Sequence, residues 1–146
     1  MTTADTQVPI TSLAPKKLAQ LQGSTIIPRM YLHIESFDLD PTVNAVVYTI
    51  EIGIQKGQNV HIHTVKKRYS AIQQFDEMIR PLFKESRFLM PFPPKKMFGN
   101  KQKEFLEQRA DALQKYLTNL VRVSGIINTP AFIRCFEIDP DLINDV

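Results

Sequence analysis

The chain of 146 residues has a single cysteine, Cys135, no tryptophan, and five glycines that never cluster. One thiol excludes an internal disulfide framework and any multi-cysteine zinc site, and it suits a reducing cytosol. Because Gly23, Gly53, Gly57, Gly99 and Gly125 lie far apart, the phosphate-cradling loops of P-loop and dinucleotide-binding proteins are excluded. No run approaches the ~18 apolar residues that a spanning helix needs, and no basic segment precedes an apolar core at the N-terminus. The sequence is expected neither to span a bilayer nor to enter the secretory route by such a signal. His-Glu-x-x-His, nucleophile-elbow and kinase signatures are missing. His33 paired with a serine or Cys135 has no motif behind it, so no enzyme activity, catalytic residue, metal ligand or cofactor is expected.

What remains is folding sequence. An apolar fraction of 43% and a charged fraction of 23% are those of a soluble globular chain, and the length suits one domain, with or without a tail. The charge is segregated. Between Lys56 and Arg109 stand eight Lys and four Arg against five acidic residues, an excess of seven, so the remainder is four negative within the total of +3. A basic middle suggests one face made for an anionic partner: phosphoinositide membrane, nucleic acid or an acidic protein. The plainer alternative is a solvated face.

Residues 1–25, mixed and poor in apolar side chains, read as an exposed, flexible leader in which Ser12 to Gln22 forms a short helix only if something packs on it. From Ile26 the pattern changes. Met30, Leu32 and Ile34 alternate with polar residues until Asp38, Asp40 and Pro41, then Val46–Ile54 and Val60–Lys67 form a hairpin around Gly57. His61 and His63 share one strand face; a metal is one use of that spacing, but without a third ligand nearby solvent-facing side chains are the expectation. Ser70 is the expected cap of a helix from about Ala71 to Lys84, with Ile72, Phe75, Ile79 and Leu82 on its apolar face and Pro81 disturbing its last turn. Met90 to Gly99 carries three prolines in four positions, which predicts an extended crossing. A long helix follows from about Lys101 to Val123, then a short one capped by Thr129-Pro130 and holding Cys135. The fold class is α+β: a three-stranded antiparallel sheet packed against a helical subdomain with a proline-rich crossing, over residues 26–140, with 141–146 as a tail.

Three basic segments stand out: Lys66-Lys67-Arg68-Tyr69-Ser70, Pro93-Pro94-Lys95-Lys96, and Arg109 with Gln108 and Leu113. Taken together, and in this order, they resemble the phox homology (PX) domains of sorting nexins and phagocyte oxidase subunits over about Ile26 to Ile138. The resemblance rests on Lys67-Arg68-Tyr69-Ser70, on Phe92-Pro93-Pro94-Lys95-Lys96-Met97-Phe98-Gly99-Asn100 and on Glu107 to Leu117. It implies a phosphoinositide ligand, most often phosphatidylinositol 3-phosphate, read by a cytoplasmic protein peripheral to endosomal membranes. In that reading Arg68 holds the 3-phosphate, Tyr69 lies against the inositol ring, Lys95 meets the 1-phosphate, and Arg109 bonds the 4- and 5-hydroxyls and so sets headgroup choice. Ile72 stands where the family usually has an aromatic, and a different alignment of Pro91 and Pro94 favours Lys96 over Lys95.

Lys95, Lys96 and Lys101 border the crossing with Met97 and Phe98 between them. The expected membrane contacts are therefore Lys96, Met97, Phe98 and Lys101, with Phe98 equally readable as core and Phe92 as either. Two other functions compete. Pro91 to Lys96 fits a Pro-x-x-Pro-x-basic ligand for an SH3-type protein partner, which makes the chain an interaction scaffold. Nucleic-acid binding has the charge but no recognition motif or row of stacking aromatics, and no nucleic acid is expected.

Overall fold

The structure is a computed structural model that describes residues 6–42, 44–95 and 102–144. A four-stranded antiparallel sheet runs in the order β1-β4-β3-β2, formed by β1 (Thr6–Pro9), β2 (Met30–Asp40), β3 (Ala45–Lys56) and β4 (Asn59–Arg68). The helices are α1 (Pro15–Gly23), α2 (Tyr69–Ile79), α3 (Gln102–Leu120), α4 (Pro130–Cys135) and α5 (Pro140–Asn144). The α+β class is as expected; the fourth strand is not. It comes from the expected leader, where Thr6–Pro9 pairs with Ile62 back to Asn59 and α1 packs beside it.

The period-two pattern of β3 builds the main core. Tyr48, Ile50, Ile52 and Ile54 are fully buried and meet Ile72, Phe75 and Ile79 of α2 and Leu113, Leu117 and Leu120 of α3. On the other face, Leu21 of α1 closes over Tyr31 and Val60. Gly53 belongs to this second layer: a Cβ there would meet the Tyr31 ring at 2.1 Å, so glycine is what lets the ring lie on the sheet. The β3–β4 hairpin turns at Gly57 with a φ of +62°, as its glycine predicts.

Four expectations are corrected. β2 does not stop at Asp38; a register shift between Ile34 and Ser36 carries it to Asp40. α2 starts at Tyr69 with Arg68 as its cap residue, two positions ahead of Ser70, and gives way at Pro81 to a 3-10 turn, Arg80–Leu82. His63 does not face solvent: it is 3% exposed and donates from Nε2 to the Phe136 carbonyl at 2.9 Å, so that face of β4 is covered by the α4 segment. The long helix ends at Leu120 rather than at Val123. The Thr129 cap is as expected, its hydroxyl accepting from the Phe132 amide at 3.2 Å.

Candidate functional site

Strand pleating sends neighbouring residues to opposite faces, which would separate Arg68 from Tyr69. The backbone avoids this by changing conformation between them: Arg68 keeps the extended φ of −85° and ψ of 158°, and Tyr69 begins α2. Both then line one cavity of about 470 Å³, together with Ser70, Lys95 and Arg109. Leu39, Asn44, Ala45 and Val46, from the β2–β3 end of the sheet, close its other side. Lys67 points elsewhere and pairs with Glu137 at 3.4 Å.

Lys95 is brought in by the proline-rich crossing, which is fastened at two points. Arg80, bonded to the buried Asp76 carboxylate at 2.8 Å, donates to the Met90 carbonyl at 2.6 Å. Asp76 in turn accepts from the Tyr116 hydroxyl of α3 at 2.7 Å, so α2, α3 and the crossing share one polar network. Further along, the Tyr69 hydroxyl donates to the Pro93 carbonyl at 2.6 Å, and Phe92 packs its ring on Tyr69 and Tyr116. Burial pushes the Tyr69 phenol up, against the pull of the Arg109 cation, so the hydroxyl keeps its proton for that bond. Only 7% exposed, Tyr69 is both a wall of the cavity and the anchor of the crossing.

Arg109 is held by aromatics. Its guanidinium lies 4.7 Å from the Tyr69 ring centre and 5.2 Å from that of Phe105, and its Nε donates to the Tyr48 hydroxyl at 2.9 Å. Such contacts orient the cation without neutralising it, and one bond to Tyr48 leaves four N–H donors for other acceptors. Among the described residues no carboxylate, those of Glu104 and Glu107 on the same helix included, pairs with Arg68, Lys95 or Arg109. The first turn of α2 also has no side-chain cap, so its free backbone N–H groups and positive dipole end lie beside the three cations. This arrangement suits an oxyanion-rich ligand.

The residues expected at the membrane, Lys96, Met97, Phe98 and Lys101, lie outside the described residues. Phe92 is half-buried and belongs to the core side of the crossing. Three contributors were missed in the sequence: Tyr48, which orients Arg109; Arg80, which ties the crossing; and Leu39, which is 59% exposed on the cavity rim. A signal existed for Tyr48, a hydroxyl on an otherwise apolar strand face that must find a partner. Elsewhere the sequence's other candidates for chemistry are quiet. His33 accepts at Nδ1 from Gln20 at 2.8 Å, and burial pushes the Cys135 thiol up to about 11, leaving it protonated at neutral pH. Among the described residues no three His, Cys, Asp or Glu side chains gather as a metal site, and no helix is long and apolar enough to cross a membrane.

The chain is similar to known proteins in sequence and in fold. Residues 55–139, more than half of the chain, match the PX domain family. A segment of 60 residues is 37% identical to the human kinesin-like protein KIF16B, covering 41% of this chain and 4% of that much longer protein. A designed CISK-PX domain superposes with a TM-score of 0.58 at 20% identity, covering 73% of this chain and 98% of that one, which shows a shared fold. The mouse SNX19 PX domain, solved with a bound sulphate ion, gives a TM-score of 0.48 at 18% identity over 76% of this chain and 96% of the other. The chain belongs to the PX domain family, a family of phosphoinositide-binding modules that bring proteins to membranes rather than a catalytic one.

Proposed function

We propose that this PX domain reads phosphatidylinositol 3-phosphate and holds its protein on endosomal membranes. The observation that carries the reading is the convergence of Arg68, Lys95 and Arg109, from a strand end, a crossing and a helix, on one cavity without a counter-charge. Arg68 and the uncapped first turn of α2 take the 3-phosphate, combining a guanidinium fork with backbone donors. Lys95 meets the 1-phosphate, the inositol ring lies along Tyr69, and the donors of Arg109 left over from Tyr48 bond the 4- and 5-hydroxyls. A cation so confined by Tyr48, Tyr69 and Phe105 leaves little space for phosphates at those two positions. At the bilayer, Lys96, Met97, Phe98 and Lys101 follow Lys95 directly along the chain, and each cation near an anionic surface adds about 1 kcal/mol. Leu39 supplies an apolar side chain on the opposite rim.

The second reading, a scaffold for an SH3-type partner, has one observation in its favour: Pro91 and Pro94 are both exposed. Against it, Phe92 and the Pro93 carbonyl between them are committed to Tyr69 and Tyr116. Vesicle sedimentation separates the two. Arg68→Gln is expected to weaken binding to vesicles containing phosphatidylinositol 3-phosphate roughly ten- to hundredfold, the loss of a charge-assisted pair. Retention of full affinity by that variant, or equal binding to phosphatidylserine vesicles, would overturn the lipid reading. Loss of a partner in Pro91→Ala and Pro94→Ala, with vesicle binding unchanged, would support the scaffold.

A further inference from the structure

A larger cavity, of about 830 Å³, opens at the opposite end of α2. Its cations are Lys84, Arg87 and Arg122, its one acid is Glu85, and Leu82, Phe83 and Phe88 supply the apolar wall. Both guanidiniums lie against the Phe88 ring, Arg122 at 4.3 Å and Arg87 at 5.1 Å from its centre. Among the described residues none of the three cations is ion-paired, and Arg122 has its buried Nε without a hydrogen-bond partner. Leu82 stands 68% exposed at this cavity. A cation stacked on an aromatic ring is oriented but still wants an anion, and an exposed leucine beside it wants an apolar cover.

We propose that this cavity is a docking site for an acidic peptide segment of a protein partner, with carboxylates spaced around an apolar side chain. A free phosphate would satisfy one guanidinium and leave Leu82 and Phe83 uncovered, whereas a peptide supplies both chemistries along one strand. The position also favours a soluble partner. The phosphoinositide cavity is lined by Tyr69 and Ser70 at the start of α2, and this one by Pro81 and Leu82 beyond its end. The intervening helix of 11 residues spans roughly 16 Å, so a domain docked at one end presents the other to solvent.

The test uses the full chain and a fluorescein-labelled short peptide in which leucines alternate with pairs of aspartate or glutamate, beside a counterpart with asparagine and glutamine in their place. The acidic peptide is expected to bind saturably by anisotropy, more weakly as salt rises, and roughly five- to tenfold more weakly to Arg87→Glu or Lys84→Glu. Arg68→Gln should bind it normally, and Arg87→Glu should sediment normally with phosphatidylinositol 3-phosphate vesicles. Both substituted side chains are exposed, so the fold is retained for the measurement. No binding of the acidic peptide, equal binding of the neutral one, or indifference to both variants would overturn the proposal. Competition by inorganic phosphate alone, loss of vesicle binding in Arg87→Glu, or self-association abolished by it would assign the cavity to a phosphate, a membrane or a second copy instead.

Discussion

Arg68 shows how a change of backbone conformation places one side chain: the strand ends at it, and α2 begins at Tyr69 beside the same cavity. The Lys-Arg-Tyr-Ser segment was legible because its chemistry is local, and the strand-to-helix change that lets Arg68 and Tyr69 share a cavity is compatible with that local order. Tyr48 was not legible as a site residue, because its bond to Arg109 joins positions 61 residues apart. Its role predicts a separation of effects. Tyr48→Phe deletes one hydroxyl while keeping the ring in the core, so phosphatidylinositol 3-phosphate affinity should fall about fivefold, close to 1 kcal/mol, and discrimination against bisphosphates should narrow. An unchanged headgroup profile in vesicle sedimentation would mean that Arg109 is oriented by its ring contacts alone. Gly53 makes a stability prediction of the same scale. Gly53→Ala places a methyl group against the Tyr31 ring and should cost about 1–3 kcal/mol or more in chemical unfolding.

At the scale of elements, the periodic segments, the proline-rich crossing and the short helix of the leader were readable, and the short first strand was not. β3, α3 and the Thr129 cap follow from patterns of two, of three and four, and of Thr-Pro. β1 has four residues, too few for a period to show, and exists only because β4 offers it an edge. α1 is likewise held by tertiary contacts: Lys17 reaches Glu35 at 2.5 Å and Glu51 at 2.9 Å, and Glu51 also accepts from the Tyr31 hydroxyl at 2.6 Å. Burial pushes the Glu51 carboxyl up, but the bonds from Tyr31 and Lys17 and the Lys17 charge outweigh it and hold it below the usual range. Burial likewise holds the His33 imidazole, bonded to Gln20 of α1, below its usual value. For both groups the unfolded chain takes up its proton first as pH falls. The His33 contribution is therefore lost below about 6.5, and that of Glu51 below about 4.5 through its depressed folded value. Hydrogen exchange should show α1 losing protection on acidification before α2 and α3 do; uniform loss would contradict the clasp.

Across the whole molecule, the basic middle of the sequence is not one face. The structure divides it: Arg80 and Lys67 are spent on Asp76 and Glu137, Arg68, Lys95 and Arg109 gather at one end of α2, and Lys84 and Arg87 join Arg122 at the other. Composition foretold the charge but not this partition, which depends on which face each helix turn presents. On the function and docking site proposed above, this partition gives the domain a membrane end and a solvent end. The most direct measurement of the membrane end is a titration of the labelled protein with a soluble, short-chain phosphatidylinositol 3-phosphate, followed by amide NMR shifts. The account predicts saturable shifts confined to Val46, Arg68 to Ser70, Lys95 and Arg109 and their neighbours, far weaker with the 4,5-bisphosphate. Shifts centred on another surface, or the same response to both headgroups, would contradict it.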